Sequence, residues 1–273
     1  MAETNQSTGP RTLAVDVGGT GIKALVLDEA GEAASERDRE LTPRPALPDA
    51  VIETIARLAA NHQYDRVAVG FPGVVRQGVT ITAPNLHTDW HGFDFATALA
   101  FKLGKPVRVA NDADVQGFGA ILGDGLEMVL TLGTGMGSAL FVDGILVPNL
   151  ELAHHPFLEG KTYEQWLGQE SLERIGTASW LTWLQRAVDQ IRHTFNFDVL
   201  YLGGGNARIV DPGTMSPDVR IVPNIAGLLG GIALWMDMVG TKLVRAPHSQ
   251  GAYCALDPTG RSIVLATGRE PGT

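Results

Sequence analysis

Val15 to Leu25 reads VDVGGTGIKAL, and Leu130 to Leu140 reads LTLGTGMGSAL. Each stretch is an apolar β run, a glycine-rich turn and a second apolar run, so the glycines join strand to strand. In a Walker or Rossmann loop the glycines instead open a helix. The two units begin about 115 residues apart. A chain that repeats such a unit predicts two related lobes facing each other across a cleft. One glycine-rich hairpin alone reads as ordinary structure; the pair points to function.

The size of the chain agrees with that picture. Its 273 residues allow two lobes or one large α/β domain. Hydrophobic residues make up 44% and the mean hydropathy is +0.06, enough for a sizeable core. Lys and Arg number 21 against 30 Asp and Glu, a net charge of −9, which argues against a nucleic-acid partner and against docking on anionic lipid. An anionic ligand must then be held by backbone amides or a few local cations. Glycine, at 33 residues, is over-represented and clusters in short loops. Cys254 is the only cysteine, which excludes disulfide frameworks and multi-thiolate zinc sites. The first residues lack a basic and apolar export signal, and the longest apolar run, Ile225 to Met236, is shorter than the ~20 residues a bilayer needs. The expectation is a soluble, cytoplasmic protein.

Outward from the two units, residues 1–10 read as a disordered leader. Strands are predicted at Thr12–Val17, Ile22–Leu27, Arg66–Phe71, Val107–Ala110, Glu127–Leu132, Ser138–Val142 and Val199–Leu202. Helices are predicted over 47–61 and 94–103, from Asn111-Asp112 through Leu122, over most of 163–195, and as a mostly buried helix over 225–239. Residues 83–93 read as a polar loop, Asp143-Gly144 as a hairpin turn, and the tail from Thr241 as irregular.

A phosphate chain held between two such turns needs amides unobstructed by Cβ atoms, with hydroxyls such as Thr20, Thr134 and Ser138 nearby. Asp16 either holds Mg²⁺ through water or caps the turn, and Lys23 is either a local cation or a solvated strand residue. A second set is Asn85, Asn111, Asp112, Glu151, His154 and Glu164. Amides and carboxylates that donate and accept at several angles suit a polyhydroxylated ligand. Asp112, at a strand end, reads either as a general base or as a helix cap. The run Glu151 to His155 lacks the His-Glu-x-x-His spacing that places two imidazoles on one helical face for zinc.

In order along the chain, AVDVGGTGIKA, PNLHTDW, VANDAD, LTLGTGMGSALFVDG, ELAHH and YLGGGN resemble the ROK sugar-kinase family, and within it the polyphosphate glucokinases. The resemblance covers roughly residues 12–240. It implies an α/β chain of the actin/hexokinase-like fold, two ribonuclease H-like lobes around a central cleft. The small lobe would be 11–108, completed by a helix near 225–240, the large lobe 109–224, with 241–273 as a tail. It implies phosphoryl transfer from polyphosphate, with ATP as a further donor, to the 6-hydroxyl of glucose. By the same resemblance Asp112 is the base, and Gly73, Asn85, Asn111, Glu151, His154 and Glu164 hold the sugar. Asp16, Gly18, Gly19, Thr20, Lys23, Gly133, Thr134 and Gly135 lie along the donor phosphates, with Gly204, Gly205 and Asn206 on the nucleoside side. Mg²⁺ through water on Asp16, no zinc, and a homodimer complete the expectation.

Two features depart from the family. The cysteine-rich zinc motif after the histidine is absent, as it is in polyphosphate glucokinases. Ala153 stands where the family has glycine, predicting strain if that position needs positive φ. The alternatives are a strictly ATP-dependent glucokinase or other hexose kinase, and a sugar-binding homologue with weak turnover. A repressor of the same family would need a DNA-binding module, and only about eleven residues precede the first strand. Lys23, Arg44, Lys161 and Arg208 are candidate cations for a polyphosphate path, though sequence does not place them on one wall.

Overall fold

Thr12–Val17 (β1) is apolar along nearly its whole length, as a strand covered on both faces must be. It pairs antiparallel with Gly21–Leu27 (β2), and β2 with Asp38–Leu41 (β3). On its other side it runs parallel to Arg66–Phe71 (β4), which runs parallel to Val107–Asn111 (β5). The second sheet repeats this arrangement strand for strand. Leu126–Leu132 (β6) lies at its centre, antiparallel to Met136–Val142 (β7), which is antiparallel to Ile145–Val147 (β8). Parallel to β6 runs Val199–Gly203 (β9), followed by Val219–Ile221 (β10). The repeated glycine unit of the sequence is thus the central hairpin of two equivalent five-stranded sheets, the duplicated ribonuclease H-like arrangement.

The computed structural model describes residues 9–222 and 226–236, with strand segments 242–245, 253–256 and 262–264. Of the leader read over residues 1–10, residues 1–8 lie outside the described residues. On the first sheet, Pro48–Ala59 (α1) buries Val51, Ile55 and Leu58, spaced three and four apart, and Phe95–Leu103 (α2) is capped by the Asp94 carboxylate. Phe71, Trp90 and Phe95 pack there with ring centroids 4.8–5.7 Å apart. On the second sheet, the helical region 163–195 is three helices, Tyr163–Leu167 (α4), Gln169–Ile175 (α5) and Thr177–Phe195 (α6), separated at Gly168 and Gly176. α6 buries Trp180, Leu184, Val188 and Ile191.

Three expectations are corrected. The helix opening at Asp112 (α3, Asp112–Phe118) stops short of Leu122. The buried Glu127 carboxylate accepts the N–H groups of Leu122, Gly123 and Asp124 at 2.7, 2.6 and 3.1 Å, holding them as a turn. The 225–239 region is not one helix. It is a single α-turn, Ala226–Leu229, then a 3₁₀ turn, Gly230–Trp235, while 223–225 and 237–239 lie outside the described residues. Glycines at 227, 230 and 231 give it poor helix propensity, and it fills the crevice between α3 and the first sheet, with Leu228 and Ile232 against Ala14, Leu25 and Leu27. The tail is not irregular: Lys242–Arg245, Tyr253–Leu256 and Ser262–Val264 pair as an antiparallel meander. The runs KLVR, YCAL and SIV are short, β-forming and separated by Pro and Gly, a pattern compatible with hairpins.

Candidate active site

The parallel strands of both sheets end at one cleft, where open α/β sheets place their ligands. Asp16 is near the end of β1, Gly73 follows β4 and Asn111 ends β5. From the other sheet come Gly133, Thr134 and Gly135 after β6, and Gly204, Gly205 and Asn206 after β9. The cavity is about 450 Å³, the size of a small-molecule site. The residues that the family resemblance assigns to sugar, donor and catalysis all line it, including Gly18, Gly19, Thr20, Lys23, Asn85, Asp112, Glu151, His154 and Glu164, whereas Ser138 does not.

Each glycine turn is closed by a backbone hydrogen bond, reaching three residues on in the first turn and two in the shorter second. Gly18 N–H donates to Gly21 O, and Gly133 N–H to Gly135 O, both at 3.0 Å. Gly135 lies so close to Glu164 that a Cβ there would sit 2.0 Å from the carboxylate oxygen, so glycine lets a carboxylate of the second cluster touch the phosphate-type turn. Ser138 does not face this turn. Its hydroxyl donates to Leu150 O at 2.5 Å and accepts from Leu152 N–H at 3.3 Å, bracketing Glu151 from both sides.

Asn111, not Asp112, caps α3: its side-chain oxygen accepts Ala113 N–H at 2.8 Å and Asp114 N–H at 3.2 Å. Its amide nitrogen donates to Gly73 O at 3.2 Å. Asp112 is therefore released from the capping role that competed with its reading as a base. One of its oxygens accepts Ala113 N–H at 2.8 Å. Burial first, and then the negative charge of Asp16, push its carboxyl up to about 7, against the pull of the Ala113 hydrogen bond. The buried Asp114 is likewise pushed up to about 7, by burial ahead of the charge of Glu151, and its carboxylate accepts Asn149 N–H at 3.3 Å.

His154 stands between two carboxylates, its Nε2 3.3 Å from Glu151 and its Nδ1 3.8 Å from Glu164. Burial raises the Glu151 carboxyl, with His154 pulling it back. Among the described residues no group of three or more His, Cys, Asp and Glu side chains is arranged to hold a metal ion directly. Asn149 ties this region to the first sheet's side of the molecule: its side chain accepts Val75 N–H at 3.1 Å and donates to Val75 O at 3.2 Å.

The Ala153 expectation fails. Ala153 lies in a 3₁₀ turn, Leu152–His154, its φ is not positive, and its methyl is buried in the core of the second sheet. The position asks for no glycine. Of the candidate cations, Lys23 reaches the cleft, where it pairs with Asp16 at 2.7 Å, while Arg44, Lys161 and Arg208 do not line it. Lys161 lies over the Trp166 ring and Arg208 donates to Gly205 O. Sequence reasoning missed Arg39 and Gln116, which also line the cleft. The Gln116 amide nitrogen is buried with no partner among the described residues. Neither position carries a motif signal, Arg39 sitting in the charged run SERDREL and Gln116 inside a short helix.

Comparison with known proteins matches this geometry. The ROK family profile covers residues 12–148. The polyphosphate glucokinase of Mycobacterium tuberculosis is 33% identical over 249 residues, 84% of this chain and 94% of that protein. The inorganic polyphosphate/ATP-glucomannokinase of Arthrobacter sp. strain KM superposes with a TM-score of 0.76 at 33% identity, covering 83% of this chain and 100% of that one. A ROK family glucokinase from Streptomyces griseus, solved with glucose and AMPPNP, shares the fold with a TM-score of 0.65 at 21% identity over 82% of this chain and 98% of that one. A duplicated fold, a cleft flanked by two glycine turns and these matches lead to one placement: the chain belongs to the ROK family.

Proposed function

We propose that this protein transfers the terminal phosphoryl group of polyphosphate, with ATP as a second donor, to the 6-hydroxyl of glucose. The observation that carries the reading is the position of Asp112. Its carboxyl, pushed up to about 7, shares one cleft with two glycine turns suited to phosphates and with the Glu151–His154–Glu164 cluster suited to sugar hydroxyls. The polyphosphate-using relatives, similar over most of the chain, support the donor.

In the reaction, the free oxygen of Asp112 takes the proton of the sugar hydroxyl as that oxygen bonds to phosphorus. The bond from phosphorus to the bridging oxygen breaks, and the shortened polyphosphate or ADP leaves with its electron pair. Glu151, His154 and Glu164, with Asn85 and Asn111 beside them, would fix the sugar ring. The backbone amides of Gly18–Thr20 and Gly133–Gly135 would cradle donor oxygens, and Gly204–Asn206 would accept an adenosine edge. For a divalent cation, Asp16 supplies a hard oxygen ligand: Oδ2 pairs with Lys23, and no described side chain bonds Oδ1. That donor set fits Mg²⁺ held through water and donor phosphates, where it would neutralise developing charge.

The reading further assigns the lobes to 11–108 with the segment near 225–240, and to 109–224. It carries a homodimer and a cytoplasmic location; among the described residues no helix is long and apolar enough to cross a membrane. The retained Gly204–Asn206 loop favours, as a second reading, a kinase that uses ATP alone. A coupled assay for glucose 6-phosphate, with glucose crossed against ATP and polyphosphate, tests the proposal. Turnover with ATP and none with polyphosphate of any length would select the second reading, and glucose binding without turnover would sink both.

A further inference from the structure

Three residues of β3 show a contrast. Asp38 and Glu40 have basic partners: Asp38 lies 3.1 Å from His62 Nε2, and Glu40 2.6 Å from Arg57. Arg39, between them, points to the opposite face, as strand alternation requires, and lines the cleft. It is exposed and has no hydrogen-bonding or ionic partner among the described residues. Directly across the β2–β3 ladder stands Lys23, whose side chain also lines the cleft. Like charges facing each other across a ladder weaken a sheet. Lys23 is neutralised by Asp16; Arg39 is not.

The backbone beside it accommodates the guanidinium. A Cβ at Gly21, the last residue of the first glycine turn, would lie 2.7 Å from Arg39 Nε and 3.2 Å from Cζ. The planar group therefore rests on bare glycine, next to the amides suited to phosphate. The other titratable side chains lining the cleft are Asp16, Lys23, Asp112, Glu151, His154 and Glu164, so Arg39 is its one uncompensated permanent cation among the described residues. It lies on the wall of the first sheet, whereas the Gly204–Asn206 loop belongs to the second.

We propose that Arg39, set against Gly21 and paired across the ladder with Lys23, determines donor specificity by holding the distal phosphates of a polyphosphate chain. This rests on the donor reading above. A linear polyanion has no nucleoside end, so its affinity beyond the transferred group must come from charge along the wall it follows. ATP draws part of its affinity from the Gly204–Asn206 side and depends less on Arg39.

The test is steady-state kinetics of the purified full chain with long-chain polyphosphate and with ATP, comparing wild type, Arg39→Ala and Arg39→Lys over a salt series. A charge-assisted contact of ~1.5–3 kcal/mol predicts at least a tenfold rise in polyphosphate KM for Arg39→Ala at low salt. ATP KM should change less than about threefold, and glucose KM should stay at its wild-type value, which also shows the fold is intact. Arg39→Lys should recover part of the loss, and the salt dependence of polyphosphate KM should flatten in Arg39→Ala. An unchanged polyphosphate KM, or equal losses with both donors, would overturn the role of Arg39 while leaving the donor reading standing. Wild-type turnover with ATP alone would overturn both.

Discussion

Replacing Asp112 with Asn should separate catalysis from stability in opposite directions. The substitution keeps size, and the side-chain oxygen still accepts Ala113 N–H, while the proton-accepting carboxylate is lost. General-base catalysis is worth ~10²–10⁴-fold, so kcat should fall by at least ~10²-fold with both donors. The stability effect follows from the raised carboxyl, about 7 in the folded chain against an ordinary 3.8. A group whose folded value lies above its unfolded one stabilises the fold at low pH, and that contribution is lost as pH rises through the window from about 4 to about 7. The full shift corresponds to ~4 kcal/mol, and contact with the solvent-filled cleft reduces the expected effect to ~1–3 kcal/mol. Asn carries no charge, so the variant should equal wild type near pH 4 and exceed it in Tm at pH 8. Wild-type kcat/KM should fall tenfold per pH unit below about 7, where the base is protonated. Paired thermal melts at pH 4, 6 and 8 and a pH–rate profile read both effects. Parallel stability curves for the two proteins, or a kcat/KM that stays flat from pH 7 down to pH 5, would refute the reasoning.

Removing one partner from a bound sugar hydroxyl costs ~1–3 kcal/mol, so Glu151→Gln, His154→Ala and Glu164→Gln should each raise glucose KM by about fivefold to a hundredfold and leave both donor KM values unchanged. The reverse split would reassign the cluster. Ala153→Gly, at a buried position of ordinary φ, should lower stability by ~1 kcal/mol in denaturant unfolding without improving glucose KM; tighter glucose binding would restore the strain argument.

The central strands were legible because both faces of each sheet are covered, which leaves continuous apolar runs such as TLAVDV and RVAVGF. The cleft candidates were legible because glycine turns and short polar motifs sit at the ends of those same strands. What escaped had no local signature. β3 reads DREL, with no apolar alternation, so neither the strand nor the inward side of Arg39 could be seen. The fate of Ser138 depends on Leu150 and Leu152, which reach it only after the chain folds back. The segment after residue 225 is apolar enough for a helix, yet its glycines and its narrow crevice shape it as two short turns. Asn111 and Asp112 are adjacent and both able to cap; only the backbone geometry decides which oxygen reaches the amides.

The Asn149 bracket makes one amide proton a gauge of the Glu151 end of the cleft. Val75 N–H is held by a side chain two residues before Glu151, on a chain segment 74 residues away. Its exchange with solvent therefore records how often that segment lets go, independently of any turnover. Glucose bound to Glu151 should slow the clock, donor alone should not, and ligand occupancy becomes readable at a residue that touches neither ligand.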